Sequence, residues 1–465
     1  AYSRAAALIA VDTNITKYLA SYAEQPMPAP PGDQCWDVCV VIPVYAEAIG
    51  FLDNLIALQR SAASILVIVV INRPESDPDV TANQQLRSAL NALPLQARLQ
   101  HECEMRTAAS GLDLLIVDIE TRSGPSPRKQ GVGLARKTGC DLALHWHAAG
   151  SISSPWLYSS DADAQWPEDY FARIADARVS RGAVTFPFFH AATENTHDDP
   201  DSEAACLLYE LRLHHYVLGL QYAGSPYAFH TLGSCLAVHA LDYAAVRGFP
   251  RRAGGEDFYL LNKVAKFGGV RTLDGKAIRL SPRVSTRVPF GTGPAVGALL
   301  AELQSATAAN PTSSQLQDAP LFYNPACFEA LRALLTECTV LAGELASTMN
   351  PPRMIASLPE NLAGPTLTAL GELGFEGALA HCHRQSQDAA GYLQHLNQWL
   401  DGFRTLKFIH AIRAAGFPDL SLHSLTTAEP NLLALNPDQL PEVQHVLSAV
   451  RQQLGWRIET NVRAQ

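Results

Sequence analysis

The stretch WLYSSDADAQWPEDYF, Trp156 to Phe171, ends a short apolar run on two carboxylates one residue apart, Asp161 and Asp163. The apolar part is aromatic-rich and uninterrupted, as a strand buried on both faces reads. Two acids at the end of such a strand repel each other unless water, a cation or a metal offsets them. The following PEDYFARIADA, Pro167 to Ala177, has helical spacing, so capping of that helix by Asp163 or a nearby polar group is the plain alternative.

Runs of the same texture lie on either side. They are VCVVIPV (38–44), ILVIVVI (65–71), LLIVDI (114–119) and AVTFPFF (183–189), with GSCLAVHAL (233–241) and VRTLDG (270–275) as two further candidates. Helical patterns separate them, as in FLDNLIALQRSA (51–62) and GVGLARKTGCDLALHWHAA (131–149). Strands alternating with helices imply βαβ units. The expected class is α/β, with a mainly parallel sheet flanked by helices. Past about residue 290 the pattern turns helical, broken by Pro and Asn clusters. The expected division is an N-terminal helix and Pro-rich linker (1–35), an α/β domain (36–290) and a helical C-terminal region (291–465).

Composition narrows the function classes. Of 465 residues, 47% are hydrophobic and 17% charged, enough for a sizeable core. The net charge of −10 argues against a general nucleic-acid binder. Nine cysteines without any CxxC argue against a disulfide framework or a structural zinc, and suit a reducing cytoplasm. The longest apolar run, SILVIVVI (64–71), is too short to span a bilayer, and the first residues lack the pattern of a signal peptide. A cytoplasmic protein without a transmembrane segment is expected.

In an open parallel sheet, ligands bind beyond the carboxyl ends of the strands. Pro43, Tyr45 and Glu47 close the first strand, and Asn72 and Asp77 follow the second. Arg128 and Lys129 lie in RSGPSPRKQGVGLARKTG (122–139) after the third, and Asp161 and Asp163 end the fourth. Taken one at a time, these are ordinary loop residues. Cations beside glycines suit a phosphate, with Lys129 and Arg128 ahead of Arg136, although the spacing is not that of a Walker loop.

Four of these stretches, in this order, resemble the nucleotide-sugar-dependent glycosyltransferases of the GT-A fold, especially family 2. They are VCVVIPVYAEA, RKQGVGLARKTGCDLA, WLYSSDADAQWPEDYF and GGEDFYLLNKVAKFGG, which together span roughly residues 36 to 280. The resemblance implies a Rossmann-like GT-A domain that moves a sugar from a nucleoside diphosphate sugar to a hydroxyl acceptor. It implies Asp163 as direct ligand of Mn2+ or Mg2+. Asp161 is implied on the ribose, or on the metal through water. Tyr45 and Glu47 are implied near the base and ribose. Glu256 and Asp257 match the catalytic Glu-Asp pair, with Asp257 as general base of an inverting reaction; capping of the FYLLNKVAKF helix is its alternative. Asn72 stands where the commoner pattern has Asp, which leaves the base unspecified. Arg283 and Arg287, in the Gly-containing segment 279–293, are candidates for the diphosphate or for an acidic acceptor. No third protein ligand for the metal is assigned. A sugar-phosphate nucleotidyltransferase and a non-catalytic nucleotide-sugar-binding protein are the rival readings. A second copy of the chain is kept as a candidate partner.

Overall fold

All seven residues of β1, Val38–Val44, are buried, and so are all seven of β2, Ile65–Ile71. Neither strand has a polar face to give to water, so each must be covered on both sides. A computed structural model shows how. It describes residues 12–32, 34–47, 50–52, 55, 64–191, 200–282, 292–307, 318–436 and 442–458. These divide into two compact units, one drawn from Ala1–Thr196, Thr231–Ala295 and Gly455–Gln465, the other from His197–His230 and Val296–Leu454.

The first unit is α/β. Its strands continue with β3 (Leu95–Arg98), β4 (Glu104–Ala109), β5 (Leu112–Asp118), β6 (Trp156–Ser159), β7 (Ala183–Thr185), β8 (Phe188–His190), β9 (Leu236–His239) and β10 (Val270–Thr272). After them come β11 (Gly275–Lys276), β12 (Ile278–Leu280) and β13 (Trp456–Arg457). Nine of them form one sheet in the order β10-β7-β9-β6-β1-β2-β5-β4-β3, in which only β4 and β9 run against the rest. β8 pairs with β12, and β11 with β13.

Pro43 sits in the middle of this sheet without breaking it. Alternate residues of a strand turn their backbone groups to alternate neighbours. The Val41 carbonyl faces β6, where it accepts from the Ser160 amide at 3.0 Å, so position 43 faces the same way. The ladder between β1 and β6 ends at Val41, so no partner waits for the missing Pro43 N–H.

The helix Gly131–Ala148 covers the sheet centre and is buried along most of its length. Two glycines set its approach. A Cβ on Gly139 would lie 2.3 Å from Val41 Cγ1, and one on Gly133 would lie 2.5 Å from the carbonyls of Pro250 and Arg252. These close approaches are therefore made to the protein's own chain. Two residues after Gly139, the buried Asp141 accepts from the Tyr18 hydroxyl at 2.5 Å, Tyr243 at 2.8 Å, Lys137 Nζ at 2.9 Å and the Glu24 amide at 2.7 Å. The first of these fastens the N-terminal helix, Thr13–Ser21, to the sheet unit.

The second unit is helical. The helix Pro325–Glu344 starts on Asn324, whose side chain accepts from the Ala326 amide at 3.1 Å, with Pro325 in the first turn. It packs on Pro200–Ala223, where a Cβ on Gly219 would fall 2.5 Å from the Phe328 ring. The span 393–416, helical in pattern throughout, is two helices, Ala389–Trp399 and Gly402–Ala414. They part where Asp401 caps the second by accepting from the Arg404 amide at 3.0 Å. Among the described residues no helix is long and apolar enough to cross a membrane. None of the nine cysteines is in a disulfide, and only Cys35 is exposed.

Candidate functional site

β1, β2, β5 and β6 are parallel, and their carboxyl ends share one edge of the sheet; β9, antiparallel to β6, begins at that same edge. Asp161 and Asp163 lie in a turn there, closed by the Ala164 amide donating to the Asp161 carbonyl at 3.2 Å. The strand end is tied down by serines. Ser159 Oγ donates to the Gly233 carbonyl at 2.8 Å, and Ser160 Oγ accepts from Trp166 Nε1 at 2.8 Å. Cys235, just before β9, has its thiol pKa pushed up to about 12, first by burial and then by the charges of Asp161 and Asp163.

Arg136 is the centre of this site, although the sequence ranks it behind Arg128 and Lys129. Its guanidinium is buried, and it donates through Nε to Glu256 at 2.9 Å and through Nη1 to Ser159 Oγ at 2.8 Å and the Ser160 carbonyl at 3.0 Å. Nη2 donates to Asp161 Oδ1 at 2.5 Å, while the Asp161 side chain stays 39% exposed. Glu256 is thus occupied as a buried counter-charge to Arg136. Its neighbour Asp257 is half-buried at the start of the helix Glu256–Val264, behind Gly255, whose φ of 69° is the left-handed turn that glycine adopts without strain. Burial, then the charge of Glu256, raises the Asp257 pKa to about 7, against the pull of the Phe258 and Gly233 amides and of Arg136.

The other expected residues are placed as follows. The Tyr45 hydroxyl bonds Asp77, and the Ala46 amide donates to Asn83 Oδ1 at 2.9 Å. Asn72 is buried and its carbonyl accepts from Asn83 Nδ2 at 2.9 Å. Pro43 is buried in β1, and Glu47 is half-buried. Arg128 and Lys129 are exposed, with the Arg128 amide held by Glu75 at 2.7 Å. The segment carrying these two cations runs beside the one after β2 through a bridge between Pro74 and Ser126. Arg283 and Arg287 lie outside the described residues. Asn83 and Gly233 are the site residues that sequence reasoning passes over, and Arg136 is the one it ranks too low. The available signals were an arginine on the buried stripe of a helix and a Gly-Ser pair opening a strand.

A cation has few protein ligands here. Among the described residues no three or more His, Cys, Asp or Glu side chains gather as a metal site. Asp161 already spends one oxygen on Arg136. Two carboxylates with a half-exposed outlook suit a hard divalent ion that keeps water and takes phosphate oxygens, and do not suit a tetrahedral zinc.

No protein-family model matches the chain, and no curated protein matches it in sequence. Among solved structures it is similar to the mannosyltransferase PcManGT from Pyrobaculum calidifontis in complex with GDP-Man and Mn2+, at 17% identity and a TM-score of 0.35, over 82% of this chain and 93% of that one. It is similar also to S. aureus TarS 1–349 in complex with UDP-GlcNAc, at 14% identity and a TM-score of 0.35, over 76% of this chain and 89% of that one.

Proposed function

We propose that the chain is a glycosyltransferase of the GT-A type, transferring a sugar from a nucleoside diphosphate sugar to a hydroxyl acceptor with inversion. The observation that carries this reading is the convergence at one sheet edge of the Asp161–Asp163 turn and Asp257, joined through Arg136 and Gly233. Two acids suited to a cation and a diphosphate, beside a third whose raised pKa suits proton abstraction near neutrality, are the equipment such a transfer needs.

In this mechanism Asp257 accepts the proton of the acceptor hydroxyl as that oxygen attacks the anomeric carbon. The bond from that carbon to the diphosphate oxygen breaks, and the electron pair leaves with the nucleoside diphosphate. A divalent cation, Mn2+ or Mg2+, when bound, neutralises the charge that develops on that diphosphate. Asp163 and the second oxygen of Asp161 would hold it. Tyr45, Glu47, Asn72 and Asp77 face the nucleoside, and Arg128 and Lys129 supply positive charge on the phosphate side. Arg283 and Arg287 are kept as candidates for the same anionic group.

The test is thermal. UDP, GDP and their sugars should raise the melting temperature of the wild-type chain with Mn2+ present, because a ligand of the folded state stabilises it by mass action. Asp163→Ala should melt like the wild type without ligand and show no such rise. A rise of equal size in that variant removes Asp163 from the metal site, and no rise in the wild type with any of the probes removes the reading.

A further inference from the structure

The Asp161 carboxylate reaches its position through a glycine seventy-two residues away in sequence, Gly233. A Cβ at position 233 would lie 2.5 Å from Arg136 Nη2, 2.7 Å from Cζ and 2.8 Å from Nε, all side-chain atoms of one residue. Nη2 is the atom that donates to Asp161 Oδ1, and Nε is the atom that donates to Glu256. The Gly233 amide reaches Asp257, and its carbonyl accepts from Ser159 Oγ. Gly233 thus touches the guanidinium on one side and the proposed base on the other.

We propose that Gly233 is the seat of Arg136, and that the pair are positioning residues: they fix Asp161 with one oxygen held inside and the other turned to the ligand, in register with Asp257. The inference deepens the glycosyltransferase reading and rests on it for the ligand. At Gly233 the guanidinium fills the space that a Cβ would need. A lysine at 136 would keep the charge but has three N–H donors for the four partners Glu256, Ser159, the Ser160 carbonyl and Asp161. The single positive charge of the guanidinium, bound to Asp161 and Glu256 and felt by Asp257, offsets part of the repulsion among the three carboxylates before any cation arrives.

Gly233→Ala is the informative variant. It inserts one methyl against the end of a side chain, and Gly233 is not among the glycines with positive φ, so the backbone is not strained by it. Two cycles are measured. In the first, urea midpoints are taken for wild type, Gly233→Ala, Arg136→Met and the double variant. Gly233→Ala should lower the midpoint when Arg136 is present and change it little when position 136 is methionine. An equal drop in both backgrounds overturns the seat. In the second, calorimetric titration with UDP and GDP, each with Mn2+, compares Gly233→Ala and Arg136→Lys in the wild-type and Asp161→Asn backgrounds. Each should weaken binding about tenfold to a hundredfold, the worth of one charge-assisted hydrogen bond. In the Asp161→Asn background that loss should vanish, because the effect runs through Asp161. A loss that persists there, or no loss in the wild-type background, overturns the positioning role. If the wild type binds neither nucleotide, the glycosyltransferase reading and the role on its donor fall together, while the urea cycle still decides the seat.

Discussion

Asp257 shows how one side chain gains a task from its surroundings. Its pKa is raised to about 7 by burial and by Glu256, so below that pH it is increasingly protonated and cannot accept a proton. The sign is therefore that activity falls on the acid side. In the presence of donor, metal and acceptor, kcat/KM should drop about tenfold per unit below that pKa. Asp257→Asn should bind nucleoside diphosphate as wild type does and lose about 100-fold or more in turnover. Near-normal turnover would reduce Asp257 to a helix cap. In the sequence Asp161 and Asp163 stand out because an acid at the end of an apolar run is out of place, and Asp257 only through the resemblance of GGEDFYLLNKVAKFGG to the family's Glu-Asp pair. The central place of Arg136 is not legible there, because its partners Ser159, Asp161 and Glu256 come from two distant segments, and helical spacing says only that position 136 lies on a buried stripe.

At the scale of elements, the helix Gly131–Ala148 is held by fit against the sheet. Gly139→Ala would press a methyl into Val41 Cγ1 at 2.3 Å and Val70 Cγ2 at 3.0 Å, both in central strands. The variant should be destabilised by about 1–3 kcal/mol, the usual cost of overpacking a tight core, read from urea unfolding. An unchanged midpoint would mean that the helix rides farther from β1. The long apolar runs β1 and β2 were found in full, since seven consecutive buried residues leave no other reading. β3 was missed because three of its four residues are exposed and offer no apolar run. AVTFPFF is two strands, β7 and β8, because Pro187 interrupts the ladder and the second half pairs with β12 instead. PEDYFARIADA, helical in spacing, is a series of turns with one short helix, Arg173–Asp176, because Tyr170 and Trp166 are drawn into an aromatic cluster with Phe186.

At the scale of the molecule, the sheet unit is closed by residues from far along the chain. The Gly275 amide donates to the Gly455 carbonyl at 2.9 Å, and the Ala277 amide to the Arg457 carbonyl at 2.8 Å. The buried Trp456 ring lies 5.3 Å from that of Phe188. A chain ended at Leu454 should therefore lose about 3–5 kcal/mol from the sheet unit, the cost of deleting a buried tryptophan, and melt at a lower temperature. Equal melting temperatures would show that β13 is dispensable. The sequence hid this strand at the tail of the helical stretch 442–457, where two residues are too few for any periodicity.

The same pairing has a consequence for synthesis. The chain changes unit at Thr196/His197, His230/Thr231, Ala295/Val296 and Leu454/Gly455, so β13 is translated after every residue of the helical unit. A ribosome adds residues one at a time, and early domains commonly fold while later ones are still being made. Here that order is denied to the sheet unit. Its edge at Gly275–Lys276 waits, with Phe188 lacking the tryptophan that lies against it, until residue 457 has cleared the exit tunnel. The proposed donor site is therefore built on a scaffold that is complete only after the whole helical unit has been made.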